Sequence, residues 1–217
     1  MVARRFDPAR IRWSLYAIID REYVDPAEMA AVTEAAIRGG AGIIQLRDKV
    51  SSGRQFYENA VVLRDVTRRH GVPFIVNDRV DVALAVDADG VHVGWSDLPP
   101  EVTRRLIGPE RLLGLSASSE NEVGRALEYG PDYLGIGAMF STKTRPDYAV
   151  PGPSLIAAVR GRVSCPIVGI GGVTPENCGE VIRAGADGVA VISALLEADD
   201  VEARAREFVR AVELARR

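Results

Sequence analysis

Eight short apolar runs, at 15–19, 42–46, 73–76, 90–93, 112–115, 133–136, 166–169 and 188–191, alternate with longer segments of mixed polarity along almost the whole chain. Runs of this kind, apolar without a polar face, suit strands buried on both sides, as parallel strands are when helices cover them. The stretches between them, such as 26–38, 53–70, 175–184 and 201–215, have the length and amphipathic spacing of crossover helices. Pro26 and Pro175 suit a first helical turn, where a missing N–H costs little. Strictly alternating strands and helices demand a parallel sheet, and eight of each fit closure into a single (β/α)8 barrel better than an open sheet. The 217 residues are near the short end for that architecture. No linker-like stretch divides them, which predicts one α/β TIM-barrel domain over 1–217, with 1–12 as a loosely ordered N-terminal extension.

The formal net charge of −3 supplies no bulk attraction to nucleic acid or to an anionic membrane, so an anionic ligand must be held by locally placed donors. No apolar stretch approaches the roughly 20 residues that span a bilayer. The basic start, Arg4-Arg5, has no apolar region behind it and makes a poor signal peptide. Cys165 and Cys178 lack metal-ligand spacing and suggest reduced thiols in a cytoplasmic protein. Oligomeric state is not legible in the residues, and a homo-oligomer is compatible with them.

In such a barrel the reactive face is the carboxyl end of the strands, and this sequence gathers its unusual polar residues there. Period-two alternation puts Ile43, Gln45 and Arg47 on one face of the second strand, with Lys49 continuing that side. Arg47 offers a planar fork and Lys49 a point charge, together an anion clamp; a solvated charge cluster is the plainer alternative. Asn77-Asp78 follows the third strand, where it suits either a helix cap or a ligand site, and Asp97 follows the fourth. Two carboxylates on one rim suit Mg²⁺, which keeps several waters and bridges to substrate phosphates. Ser116 ends the fifth strand, and a long loop with Thr142, Lys143, Thr144 and Arg145 follows the sixth. Gly171-Gly172 after the seventh strand and Ile192-Ser193 after the eighth match the common phosphate site of these barrels, built on backbone N–H groups. The glycine turns at Gly39-Gly40, Asp89-Gly90 and Asp187-Gly188 precede strands, so they belong to the opposite end and read as structural. His70 suits a solvent-facing helix end, and His92 a packed, hydrogen-bonded position.

Taken together, Gln45-Leu46-Arg47-Asp48-Lys49, Asn77-Asp78, His92-Val93-Gly94 with Asp97, Gly114-Leu115-Ser116, Thr142-Lys143-Thr144, Gly171-Gly172 and Ile192-Ser193 resemble the successive motifs of the thiamine phosphate synthase family. The resemblance runs from about Leu15 to Asp200. It implies a cytoplasmic transferase that joins an aminopyrimidine methyl diphosphate to a thiazole phosphate, carboxylated or not, releasing pyrophosphate. Its partners would be these small phosphorylated molecules. Carried over position by position, Gln45, Leu46, Arg47, Asp48, Lys49, Asn77, Ser116 and Arg145 would hold the diphosphate, with Arg47, Lys49, Ser116 and Arg145 in catalytic roles. Asp78 and Asp97 would bind Mg²⁺, and Thr142, Lys143, Thr144, Gly172, Ile192 and Ser193 the thiazole phosphate. Arg145 stands where the family usually has lysine, Trp95 where glutamine is common, and Ala138 and Ser141 where prolines are common.

Two other readings stay open at this stage. A thiazole tautomerase shares the resembled barrel but relies on a histidine after the fifth strand, where this chain has Ala117-Ser118-Ser119. A non-catalytic phosphate-ligand sensor would use the same fold, since fold does not fix function; it has no need of the paired carboxylates.

Overall fold

A computed structural model of the chain describes residues 6–142 and 149–217. The strands are β1 (Leu15–Asp20), β2 (Ile43–Arg47), β3 (Phe74–Asn77), β4 (Gly90–Val93), β5 (Leu112–Ala117), β6 (Tyr133–Gly137), β7 (Ile167–Ile170) and β8 (Gly188–Val191). They close into a barrel in chain order, and each neighbouring pair is parallel, including β1 with β8. The expected (β/α)8 barrel is thus what the chain forms. Around it lie α1 (Met29–Arg38), α2 (Gly53–His70), α3 (Val80–Ala85), α4 (Pro100–Ile107), α5 (Glu120–Glu128), α6 (Pro153–Val159), α7 (Cys178–Arg183), α8 (Ser193–Leu196) and α9 (Val201–Ala215). None of the described helices is long and apolar enough to cross a membrane.

Side-chain parity along each strand sorts residues into two layers. Ile44, Leu46, Phe74 and Val76 point outward into the core shared with the helices, whose inner faces supply residues such as Phe56, Leu63 and Phe208. Tyr16, Ile18, Ile43, Ile75, Leu112, Tyr133 and Val168 point inward. The inner layer is closed at the amino end by Trp13, whose ring lies 5.1 Å from that of Tyr133.

Trp13 also bears on the described part of residues 1–12, expected as a loosely ordered extension. The described part of that segment is folded: Pro8–Arg10 form a 3₁₀ turn capped by Asp7, and the Trp13 indole N–H donates to the Pro8 carbonyl at 2.8 Å. Burying the indole anchors the segment that carries it. The two helices expected to begin at prolines start later as regular α-helix, at Met29 and Cys178. Pro175 nevertheless sits at the head of its helix, because the Thr174 carbonyl accepts from the N–H groups of Asn177 and Cys178. Pro26 lies in a separate turn closed by Glu28 N–H on the Asp25 carbonyl.

The amino end of the barrel is stitched by a repeated bracket. The residue just before each of β4, β6 and β8 is an aspartate whose carboxylate accepts an N–H from the first or second residue of the preceding strand: Asp89 from Phe74, Asp132 from Leu113 and Asp187 from Ile167. Each is paired with an arginine of the outer layer: Arg64 at 2.7 Å, Arg104 at 2.6 Å and Arg160 at 2.9 Å. Two of the turns singled out as structural, Asp89-Gly90 and Asp187-Gly188, carry such brackets.

Candidate active site

The strands' carboxyl ends open into a cavity of about 640 Å³, within the range of small-molecule sites. Its wall includes Gln45, Arg47, Lys49, Asn77, Asp78 and Asp97 on one side. Ser116, Thr142, Gly172, Ile192 and Ser193 line the rest.

Each residue arrives there by its place on a strand. Gln45 and Arg47 share the inward parity of β2, as the alternation predicts. Arg47 is ion-paired with Asp20, which stands beside it in register at the end of β1, and lies 3.4 Å from Glu22. Asp20 is fully buried, and its other oxygen accepts the Glu22 N–H at 3.0 Å. The guanidinium is therefore oriented before any ligand arrives. Sequence reasoning missed Asp20; its signal was an acidic residue closing an apolar strand one pairing step from Arg47.

Asp78 follows β3 with φ 60°, a left-handed conformation that Asp tolerates better than most side chains. Its N–H donates to the His92 carbonyl at 2.9 Å, which ties the end of β3 to β4. Lys49 donates to its carboxylate, and Asp97 lies against it. Burial raises the Asp78 pKa, the Lys49 ammonium opposes that, and the neighbouring Asp97 carboxylate adds to it. Asp97 is itself fixed by accepting the Gly94 N–H at 2.8 Å.

Two converging carboxylates with one elevated proton affinity are short of positive charge, which is the condition a divalent cation relieves. Among the described residues no group of three or more His, Cys, Asp or Glu could hold a metal. Asp78 and Asp97 are hard oxygen donors, the ligand type that Mg²⁺ takes beside water and phosphate.

The far side is built from backbone. Gly171 and Gly172 after β7 have φ of 95° and 64°. The loop after β6 lies against them: Met139 N–H donates to the Ile170 carbonyl and Phe140 N–H to that of Gly171, both at 2.9 Å. A Cβ on Gly172 would sit 2.4 Å from the Ser141 carbonyl oxygen, so only glycine permits this approach. Asn177 secures the same turn, donating to the Gly172 carbonyl at 3.0 Å and accepting from Thr174 N–H at 2.8 Å. After β8, Ser193 opens the short α8 at the cavity wall. The Leu195 and Leu196 N–H groups there donate to the Ile192 carbonyl at 3.0 and 2.9 Å, which closes the turn.

Leu46 and Asp48 do not line the cavity. Leu46 has the outward parity of β2 and is fully buried against the helices. Asp48 accepts from the N–H groups of Val50 and Ser51 at 3.1 and 2.9 Å, and so shapes the turn that carries Lys49. Lys143, Thr144 and Arg145 lie outside the described residues. His70 ends α2 in solvent. His92 is packed and hydrogen-bonded as expected, and it also forms part of the cavity wall.

The family model described as "Thiamine monophosphate synthase" matches residues 15–195. The chain belongs to this family. It is 54% identical over 199 residues to a thiamine-phosphate synthase of Chloroflexus aurantiacus, covering 91% of this chain and 92% of the relative. A thiamine-phosphate synthase of Natronomonas pharaonis is 48% identical over 204 residues, 93% of this chain and 95% of that one. Among solved structures, the thiamine phosphate pyrophosphorylase from Pyrococcus furiosus superposes with a TM-score of 0.86 at 40% identity, covering 95% of this chain and 98% of that one. Membership of the thiamine monophosphate synthase family makes the chain a transferase.

Proposed function

We propose that this chain condenses the aminopyrimidine methyl diphosphate with a thiazole phosphate to give thiamine phosphate and pyrophosphate, with loss of CO₂ where the thiazole is carboxylated. The observation that carries the reading is the pairing of two anion sites across one cavity: a cationic side at Arg47 and Lys49, and a backbone side at Gly171, Gly172 and Ser193. Two phosphorylated molecules that must meet need two such sites facing each other.

The chemistry asks little of a protein nucleophile. The bond between the pyrimidine methylene and the diphosphate oxygen breaks with its electron pair on the diphosphate. The thiazole nitrogen then supplies the pair that forms the new C–N bond. Arg47, preset by Asp20, stabilises the developing diphosphate charge, and Lys49 adds a second cation. Asn77 and Ser116 hold the same substrate, and Arg145 is the third cation expected from the resemblance. Mg²⁺ held by Asp78 and Asp97 would supply further positive charge for the departing group. The glycine loops hold the thiazole phosphate so that its nitrogen faces the methylene, and the apolar inner wall keeps water from competing for the cation.

Purified protein given both substrates should form thiamine phosphate and pyrophosphate in equal amounts, and chelator should stop it. Binding of both substrates by folded protein without either product would replace this reading with a phosphate-ligand sensor. Cytoplasmic location and the Mg²⁺ requirement belong to the same proposal.

A further inference from the structure

Beneath the two phosphate sides, the inner floor of the cavity carries a polar chain. Gln45 Nε2 donates to the Tyr16 hydroxyl at 2.6 Å, and the hydroxyls of Tyr16 and Tyr133 are 2.8 Å apart. The Tyr133 hydroxyl lies 3.1 Å from His92 Nδ1, and His92 Nε2 lies 2.9 Å from Ser116 Oγ. Four contacts thus join β2, β1, β6, β4 and β5 in one line across the barrel, ending on Gln45 and Ser116. Both tyrosines are at most 1% exposed and Gln45 3%, while His92 and Ser116 are half-buried in the cavity wall. Glycine makes the room: a Cβ on Gly114 would lie 2.1 Å from Tyr133 Cζ and 2.5 Å from His92 Nδ1.

We propose that His92 is a positioning residue: held by the two tyrosines as the Nε2–H tautomer, it donates to Ser116 Oγ and turns the serine hydrogen toward the substrate. The direction follows from counting hydrogens. A neutral imidazole has one N–H and each tyrosine one O–H. Because Gln45 donates to Tyr16, the Tyr16 hydrogen passes to Tyr133, the Tyr133 hydrogen to Nδ1, and the imidazole hydrogen is left on Nε2. The reverse direction strands a tyrosine hydrogen at a buried floor, at a cost of about 1–3 kcal/mol. Both ring nitrogens face neutral hydroxyls, Nδ1 that of Tyr133 and Nε2 that of Ser116, which are the surroundings of a neutral ring. Gln45 is left with its carbonyl oxygen as an acceptor and Ser116 with a hydroxyl donor. A ligand held between them must offer an N–H to the first and a lone pair to the second, which a heterocycle bearing an amino group does. That ligand assignment rests on the proposed function; the tautomer does not.

The chain has two histidines, His92 and the exposed His70, so the imidazole region of a ¹H–¹⁵N spectrum is simple to assign. At neutral pH, His92 in the wild-type protein should be a single Nε2–H tautomer, and Tyr133→Phe should mix the two tautomers. An Nδ1–H ring in the wild type overturns the proposal. In turnover, Tyr133→Phe should lower kcat by about 10-fold, the range of losses for a partner that orients a functional group, with little change in KM. Placed on Ser116→Ala, Tyr133→Phe should add nothing, because its effect passes through that serine. Losses that multiply would assign Tyr133 a separate role and overturn the relay. Absence of thiamine phosphate from the wild type would defeat the proposed function while the spectrum still decided the tautomer.

Discussion

At the scale of single residues, Asp78 combines three demands: a left-handed backbone, a carboxylate against Asp97, and a contact with Lys49. Asparagine meets the first and loses the charge. Asp78→Asn should keep its thermal stability and lose turnover by about 100-fold or more, as removal of an electrostatic stabiliser does. Thiazole phosphate binding, read by calorimetry, should be unchanged. Asp78→Ala should lose turnover as well and also melt lower, because alanine in that backbone region costs about 1 kcal/mol or more. Near-normal turnover in the asparagine variant would remove Asp78 from the metal role. The sequence made Asp78 legible because it follows an apolar strand at the reactive end. Asp20 was not, since its importance depends on a register partner 27 residues away. Tyr16 and Tyr133 hid for a similar reason: in an apolar run a tyrosine reads as core, and these hydroxyls meet across 117 residues. Leu46 is the opposite lesson, a motif neighbour whose parity sends it away from the cavity.

At the scale of elements, the strands were legible because burial on both faces leaves an apolar run, and their observed bounds lie within two residues of the expected ones, with β4 and β8 identical. Helix starts were harder: the first turns at Pro26 and Pro175 bond differently from the α-helix that follows, and nothing in composition separates the two. The loop after β7 tests the glycine reading. Gly172→Ala would set a methyl group 2.4 Å from the Ser141 carbonyl in a backbone region that alanine resists. The variant should fold, with its loop displaced, and its KM for the thiazole phosphate should rise about 10-fold, equivalent to about 1.4 kcal/mol of binding. Gly161→Ala, with open space at its Cβ, is the control and should change neither quantity. An unchanged KM in Gly172→Ala would separate this loop from the phosphate.

At the scale of the whole molecule, stability and chemistry occupy opposite ends of the barrel. The Arg64–Asp89 pair is the most deeply buried of the three brackets, with side chains 4% and 2% exposed. Asp89→Ala would leave a buried guanidinium with only the exposed Asp87 carboxylate, 3.9 Å away, and the Phe74 N–H without its acceptor, a loss of about 3 kcal/mol in denaturant unfolding. At temperatures where the variant stays folded, its kcat and KM should match those of the parent. A shifted KM would show that the two ends are mechanically coupled. The brackets at Asp89 and Asp187 were visible in sequence only as glycine-containing turns and the one at Asp132 not at all, because their arginines come from segments 25 to 28 residues distant.

Trp13 and the inner tyrosines stop the barrel at its amino end, so the cavity is a cup and not a tunnel. Everything that enters must leave by the same mouth, in reverse order of depth. Whatever binds between Gln45 and Ser116 shares that one passage with whatever binds at the glycine loops.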